Sequence, residues 1–441
     1  MGPVEPLTVE EQTSVSEASA QEDSVPEGMA TAPLAEQVRD RSTGPIPQVT
    51  LQSLALSAVA ALASTNPSLK RESPEWHYLA DQLSQVPAEK ARWVRAVVAA
   101  VQDPAPRDRA VVHLAASLSC SFVELLAVVL AAAVDEDLMV GRALAFLQAP
   151  IGGARPTLGL LAAALADVVE PGRRPLDVLL TGTALTSGVL TLLGEEAPLP
   201  ERAVSVPVAI GLALRGHDGV WPGTTIGLGG ASAVSIPPSI QAEAERYAQS
   251  ASSGAHQTLL VRSGFLADGK SAVTAIATAL HCRPVFINTD TLTGIGPWLM
   301  LRRLIPVLVY ELAPGERKSL PTLPGYTGPV LAVTGPDGSV DRAGQAVPSW
   351  NVPVPSAQER HELWTQVIGE GDAAAELAQH HRHGSARIQM LGVLACQQAA
   401  RQGRTMPEKA EVVAVAMTGV GTGVDALAQL LRDPIPDEAL L

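Results

Sequence analysis

The chain has 441 residues, of which 46% are hydrophobic and 17% charged, so it is long enough for two or three domains with sizeable cores. Its formal net charge of −14 argues against nucleic acid as a partner, because phosphate contacts need lysine and arginine. The three cysteines, Cys120, Cys282 and Cys396, lie far apart in apolar surroundings, which excludes a disulfide framework or a cysteine zinc site.

Nothing in the chain indicates a signal peptide or a membrane span. The most apolar runs, 125–134 and 158–169, are shorter than the ~18–20 residues that a transmembrane helix needs. Unpaired cysteines are typical of a reducing compartment. We therefore expect a cytoplasmic protein without a membrane partner.

The first half of the chain divides into a polar tail and a helical region. Residues 1–48 are rich in Glu, Ser, Thr and Pro, which predicts a disordered acidic tail. Residues 49–250 predict helices, including 93–101, 122–133 and 158–169, with Ser121 and Glu124 as start signals for the second of these. From 175 to 240 the segments shorten, and a strand at 204–208 runs into a helix at 209–214, which suits a winged-helix module.

The second half has the pattern of an α/β domain followed by helices. In residues 251–370, the apolar strands 256–261, 283–288, 306–310, 329–334 and 350–354 alternate with helices 270–280 and 298–304. Continuously apolar strands that alternate with helices indicate a parallel sheet covered on both faces, an αβα sandwich. Residues 371–441 become helical again, which predicts a small helical lid and a C-terminal connector.

A phosphate-binding motif lies between the first of these strands and its helix. It matches G-x-x-x-x-G-K-[ST] over Gly264, Phe265, Leu266, Ala267, Asp268, Gly269, Lys270 and Ser271. Glycines let such a loop turn its amide groups toward phosphate oxygens, and the helix N-terminus adds positive partial charge. Lys270 would contact the β and γ phosphates of ATP, and Ser271 would offer its hydroxyl to Mg²⁺. An ordinary strand–helix turn that carries the same residues is the alternative.

The residues expected to support hydrolysis are incomplete. An apolar strand that ends in Asp-Glu would hold Mg²⁺ and orient the attacking water, but here the strand ends in Tyr310 and Glu311. A neutral phenol cannot replace the carboxylate at the magnesium, so hydrolysis should be weak. Glu311 either activates water or simply faces solvent.

Three further positions are candidates with competing interpretations. Thr334, at the end of the next strand, either touches the γ-phosphate or caps the following turn. Arg387, at the start of a lid helix, either senses the nucleotide or is a solvated side chain, and Arg342 either reaches a neighbouring subunit or is exposed. The adjacent histidines His380, His381 and His383 favour a polar helix end over a metal site.

The motif at 264–271, the strand that ends at Glu311, the strand that ends at Thr334 and the segment Gly384-Ser385-Ala386-Arg387 resemble AAA+ ATPases. The upstream segments 121–126, 143–149 and 155–157, and the stretch 190–202, are similar to the helical and winged-helix region of the AAA+ proteins encoded with phage-tail-like contractile injection systems. The resemblance covers residues 75–441. In that subgroup a degenerate first AAA+ domain precedes an intact second one, and 424–441 looks like the connector between them.

These observations lead to one expectation and an alternative. The resemblance implies an AAA+ module that binds ATP and Mg²⁺, hydrolyses ATP weakly or not at all alone, and assists the assembly or remodelling of a protein complex as a chaperone. Its expected partners are protein clients or further copies of itself in a ring. The alternative is a non-enzymatic interaction scaffold built on an inactive AAA+ fold.

Overall fold

The computed structural model describes residues 49–67, 69–150, 152–227, 235–252 and 258–418. The predicted acidic tail and the predicted connector lie outside these ranges. The helices are α1 (Leu51–Thr65), α2 (Pro74–Ser84), α3 (Lys90–Gln102), α4 (Arg109–Ser117), α5 (Phe122–Ala133), α6 (Leu138–Gln148), α7 (Leu158–Ala164), α8 (Pro175–Thr181), α9 (Thr183–Thr186), α10 (Val208–Leu214), α11 (Pro238–Ser252), α12 (Leu266–Ala279), α13 (Ile295–Leu301), α14 (Ala357–Ile368), α15 (Asp372–His380), α16 (Ser385–Arg401) and α17 (Lys409–Thr418).

The strands are β1 (Thr191–Leu193), β2 (Ala203–Ser205), β3 (Thr224–Ile226), β4 (Thr258–Arg262), β5 (Arg283–Ile287), β6 (Leu304–Tyr310), β7 (Arg317–Ser319), β8 (Val330–Thr334), β9 (Ser339–Arg342), β10 (Gln345–Ala346) and β11 (Ser349–Asn351). Single turns of 3₁₀ helix occupy Ala166–Val168 and Leu199–Glu201.

Local start signals explain where the N-terminal helices begin. Ser121 and Glu124 form a capping box: the Ser121 hydroxyl accepts from the Glu124 amide, and the Glu124 carboxylate accepts from the Ser121 amide. The predicted helix 122–133 is confirmed at both ends. The predicted helix 158–169 begins behind the Thr157 cap but ends at Ala164, and a 3₁₀ turn follows. β1 and β2 then pair as an antiparallel hairpin after the short helices.

The main sheet has the strand order β11-β4-β8-β6-β5-β3. The strands from β11 to β5 run parallel, whereas β3 pairs antiparallel with β5 at the edge. The prediction of an α/β fold is confirmed, but the sheet is mixed rather than purely parallel. The antiparallel strand comes from the segment that precedes the predicted 251–370 domain, so the sheet draws on both halves of the chain.

Alternate residues of the strands build two separate cores. Leu259, Val261, Val307 and Val333 point to one face, where they pack with α11 and α12. Leu260, Val285, Leu308 and Ala332 point to the other face, where they join α13 and the N-terminal helices in one continuous apolar cluster. This alternation follows from the two-residue period of a strand, and it produces three layers.

Two smaller units complete the described structure. Helices α14 to α17 have their own apolar cluster around Trp364 and Leu391, and we call this unit the lid; it includes α14, which the predicted boundary at residue 371 had placed in the α/β domain. Strands β7, β9 and β10 form a small second sheet beside the main one, which the sequence pattern did not predict. None of the helices in the described ranges combines the length and apolar character needed to cross a bilayer.

Candidate functional site

The candidate site lies where the central parallel strands end. Arg262 of β4 is in register with Thr334 of β8, which is in register with Tyr310 of β6. The backbone amide of Ser263 donates to the Thr334 carbonyl at 3.1 Å, which joins the first two strand ends. In open parallel sheets, ligands bind at this carboxyl edge. The sheet thus places the predicted motif, Thr334 and Glu311 along one edge.

The conformation of the motif differs from the predicted phosphate loop. Helix α12 begins at Leu266, so the predicted helix start at Lys270 is wrong, and most of the motif is helical. Neither Gly264 nor Gly269 has a positive φ, and the Asp268 amide donates to the Phe265 carbonyl at 2.9 Å. A curled anion-binding nest needs left-handed residues and free amides. Leucine and alanine favour helix locally, and the motif follows that preference from Leu266 onward.

Gly269 and Ser271 are fixed inside α12. A Cβ at Gly269 would lie 2.6 Å from Cγ1 of Val333, so this glycine permits the close approach of α12 to β8. The Ser271 hydroxyl donates to the Ala267 carbonyl at 2.9 Å. Ser271 borders the cleft described below, but its hydroxyl is hydrogen-bonded within the helix. Within the described ranges, no group of three His, Cys, Asp or Glu side chains is arranged to hold a metal ion.

Lys270 is exposed and extends toward β5. Its Nζ lies 5.8 Å from the ring centroid of Phe286, within the distance of a cation–π contact. The predicted position of Lys270 against β and γ phosphates is therefore not formed here. An exposed contact of this kind is weak, which leaves the side chain free to turn.

A cleft lies between the start of α12 and the lid helix α16. Its empty volume, open mouth included, is about 640 Å³. Apolar side chains form one part of the lining: Ile236, Ile240, Phe265, Val352 and Val354. Gly264, Asp268 and Ser271 of the motif form another part, and Arg382, His383 and Arg387 of the lid form the third. Apolar walls with a few converging polar groups are typical of small-molecule sites.

Asp268 joins the two sides of this cleft. Its buried Oδ1 accepts from the Ala386 amide at 2.7 Å and from the Ser385 hydroxyl at 3.3 Å, both at the start of α16. Burial raises the pKa of this carboxyl, while these hydrogen bonds and the charge of Arg387 act in the opposite direction. The N-cap residue before lid helix α16 is Gly384, which has no side chain to cap the helix, so Asp268 supplies the missing acceptor.

The lid contributes cationic groups to the cleft. Arg387 is half-buried, and its Nε has no hydrogen-bond partner in the described structure. Burial lowers the pKa of His383 to about 4, and the charges of Arg387, His381 and Arg360 act in the same direction. His383 is therefore neutral at pH 7. Arg387 lines the cleft close enough to Asp268 for its charge to lower the pKa of that carboxyl.

Of the residues expected to act on the nucleotide, Thr334 and Glu311 lie outside the cleft lining, whereas Arg387 is part of it. Thr334 is fully buried, and its hydroxyl donates to the Gly335 carbonyl at 3.0 Å, as in the turn-capping alternative. Glu311 is exposed. Burial raises the pKa of Tyr310, and the charge of Asp290 raises it further, so the phenol stays neutral at physiological pH. Arg342 donates to the Thr258 hydroxyl within the chain.

Several residues of this site could not be found from the motif alone. Ile236, Ile240 and Val352 belong to segments without recognisable signals, and they reach the cleft only through the fold. The capping role of Asp268 depends on Ala386, which is 118 residues away in the chain. The available signal was Gly384, a helix start without a capping side chain.

Neither the comparison with protein-family models nor the comparison with curated proteins finds a match for this chain. The assignment of function therefore depends on the geometry of the cleft and on the sequence motifs.

Proposed function

We propose that this protein binds a nucleotide in the cleft between α12 and α16, and that binding supports the assembly or remodelling of a protein complex with little or no hydrolysis. One observation carries the proposal. The motif residues Gly264, Phe265, Asp268 and Ser271 and the lid residue Arg387, which the sequence marked independently, border the same cleft. Residues so distant in the chain are brought together only by the docking of the lid on the sheet.

The cleft has groups that suit both the base and the phosphates of a nucleotide. The walls formed by Ile236, Phe265 and Val352 offer apolar contact to a base. Arg382 and Arg387 offer positive charge to the phosphates. Guanidinium groups match phosphate oxygens in geometry and charge.

Weak hydrolysis follows from the groups at the strand ends. Catalysis of phosphoryl transfer depends on positioned metal ions and on a group that orients water. Tyr310 is a neutral phenol in the place of a carboxylate, Thr334 is buried, and Glu311 lies outside the cleft. Mg²⁺ bound with the nucleotide would have Ser271 as its protein ligand, after that hydroxyl leaves the Ala267 carbonyl.

The resemblance to AAA+ ATPases supports the wider part of the proposal. A mostly parallel sheet with the motif strand β4 inside it and a separate helical lid agrees with that resemblance. Assembly into a ring, service to a contractile injection system and a cytoplasmic location belong to the proposal on the same basis.

Calorimetric titration with ATP and Mg²⁺ tests the proposal. We expect binding by the wild type and by the control Lys318→Ala, whose exposed lysine lies on β7. Arg387→Ala should weaken binding by about tenfold, the loss typical of one charged hydrogen bond. Phosphate release should stay at background in the wild type and in Glu311→Gln. No binding by the wild type at millimolar ATP would reject the proposal, and turnover that Glu311→Gln abolishes would reject the statement on hydrolysis.

A non-enzymatic interaction scaffold is the second candidate, and the helical conformation of the motif favours it. In a scaffold, Asp268 and Glu359 would hold the lid on the core without a ligand. Saturating ATP would then leave the melting temperature unchanged, whereas a ligand that binds the folded state raises it.

A further inference from the structure

The carboxylate of Asp268 lies at the N-terminus of lid helix α16. Its buried Oδ1 accepts from the Ala386 amide at 2.7 Å and from the Ser385 hydroxyl at 3.3 Å. Gly384 leaves room for this carboxylate, because an added Cβ there would lie 2.2 Å from Oδ2. Helix N-termini bind anions through their free amides and positive partial charge. Asp268 therefore takes, from within the chain, the place of an anion at the start of α16.

The position of Asp268 depends on the helical conformation of the motif. Helix α12 begins at Leu266, so Asp268 lies in its first turn, where its amide donates to the Phe265 carbonyl at 2.9 Å. A phosphate loop instead needs such amides free and turned toward the phosphates. Unwinding this turn would change the backbone angles around Asp268 and move its carboxylate relative to the Ala386 amide. A change of the motif from helix to loop would therefore act directly on its contact with the lid.

We infer that the contact between Asp268 and the Ala386 amide is autoinhibitory: it holds the motif in the helical conformation and must break before the cleft binds ATP with Mg²⁺ tightly. The inference rests on the proposed function and names the regulation of the same site. When only a minor conformation binds a ligand, the apparent affinity falls by the fraction of molecules in that conformation. The contact therefore lowers the apparent affinity for the nucleotide.

A second contact holds the lid when the first one breaks. Glu359 of α14 accepts from the Ser239 amide at 3.0 Å, at the start of α11, and neither residue belongs to the motif. The lid also has its own apolar cluster around Trp364. Nucleotide binding would thus free the start of α16 while the lid stays attached through α14.

Two substitutions remove the autoinhibitory contact from its opposite ends, and titration calorimetry of the full chain with ATP and Mg²⁺ compares them. Asp268→Asn removes the charge of the acceptor, whereas Gly384→Ala places a methyl group where the carboxylate lies and leaves every charge of the cleft in place. Each variant should bind about tenfold more tightly than the wild type, the factor that corresponds to one hydrogen bond to a charged group. The double variant should bind no more tightly than either single variant, because both remove the same contact.

Gly153→Ala is the matched control, since its added Cβ has no atom of the described structure within 4 Å, and it should bind like the wild type. Hydrogen exchange of the free protein tests the contact without nucleotide. Peptides that cover residues 384–388 should exchange faster in Asp268→Asn and in Gly384→Ala, because the Ala386 amide loses its acceptor. Peptides around Trp364 should exchange as in the wild type, which shows that the lid remains folded.

The outcomes separate this inference from the proposed function. Wild-type binding of ATP that neither variant tightens overturns the inference, while the proposed function survives. Tighter binding by Asp268→Asn alone also overturns it, since the effect would then be one of charge. Unchanged exchange of residues 384–388 in both variants has the same consequence. Absence of ATP binding by the wild type and both variants rejects the proposed function, and the inference falls with it.

Discussion

At the scale of single residues, Glu359 shows how one carboxylate joins two elements. Its oxygens accept from the Ser239 amide at 3.0 Å and from the Ser356 amide at 2.9 Å, at the starts of α11 and α14. Partial burial opposes ionisation, but the hydrogen bonds from Ser239 and Ser356 outweigh it and lower the pKa to about 2. The ionised form therefore fastens the first lid helix to the helix that covers the sheet.

The stability contributed by Glu359 should depend on pH in a defined window. Its folded pKa of about 2 lies below the ordinary value of 4.5, so the contribution is complete above pH 4.5 and is lost as the pH falls toward 2. We expect Glu359→Gln to lower the free energy of unfolding at pH 7 and to flatten its decline in acid, as measured by urea denaturation. Glu362→Gln, on the same helix, is the control. An unchanged acid slope in Glu359→Gln would contradict this account.

At the scale of elements, the junction between α9 and α13 depends on two glycines. Gly188 has φ +81°, and an added Cβ would lie 2.4 Å from the Gly294 nitrogen. The Gly294 amide donates to the Ser187 carbonyl at 3.1 Å, which ties the N-terminal region to the helix under the sheet. The chain approaches itself here more closely than any side chain allows.

Alanine substitutions at Gly172, which lies elsewhere, and at Gly188 separate two contributions to the free energy of unfolding. One is backbone strain at positive φ, and the other is the steric clash at this junction. Gly172 has φ +86° and no atom near its added Cβ, so Gly172→Ala should cost about 1 kcal/mol from backbone strain alone. Gly188→Ala adds a clash with backbone and should cost about 2 kcal/mol more. Chemical denaturation of the two variants measures the difference. Equal losses in both would show that the junction adjusts without strain.

Elements that are specified locally were predicted well, whereas those specified by distant partners were not. The capping box predicts that helix α5 is present and where it begins, and the apolar runs predict strands β6 and β8. β3 is three residues long and becomes a strand only by pairing with β5. The start of α12 at Leu266 reflects local helix preference, because a sequence match to a phosphate loop does not itself impose the loop conformation.

At the scale of the whole molecule, one apolar cluster joins the N-terminal helices to the sheet. It extends from Leu54 and Leu126 to Val285, Leu308 and α13. Trp221, from the segment before α11, packs on Trp298 of α13 with ring centroids 6.1 Å apart. The lid, in contrast, has its own cluster around Trp364. The sheet therefore shares its core with the N-terminal region, while the lid has a core of its own.

Truncated fragments should differ in stability, because the sheet shares its core with the N-terminal helices whereas the lid has a core of its own. A fragment of residues 235–418 keeps the sheet strands β4 to β11, the helix α13 and the lid, but it loses the N-terminal helices that complete the apolar cluster around Leu260, Val285 and Leu308. Exposed apolar faces of this size lead to aggregation or dye binding. A fragment of residues 1–356 lacks the lid but keeps both cores of the sheet.

We expect residues 1–356 to retain the near-ultraviolet circular dichroism of the Trp221–Trp298 pair and to unfold in a cooperative thermal transition. Residues 235–418 should bind a hydrophobic dye and melt without such a transition, because cooperativity requires a complete core. Comparing the two fragments with the full chain controls for the effect of truncation itself. Cooperative unfolding of a monomeric 235–418 fragment would mean that the sheet does not depend on the N-terminal helices, and the α/β unit would then be an autonomous domain.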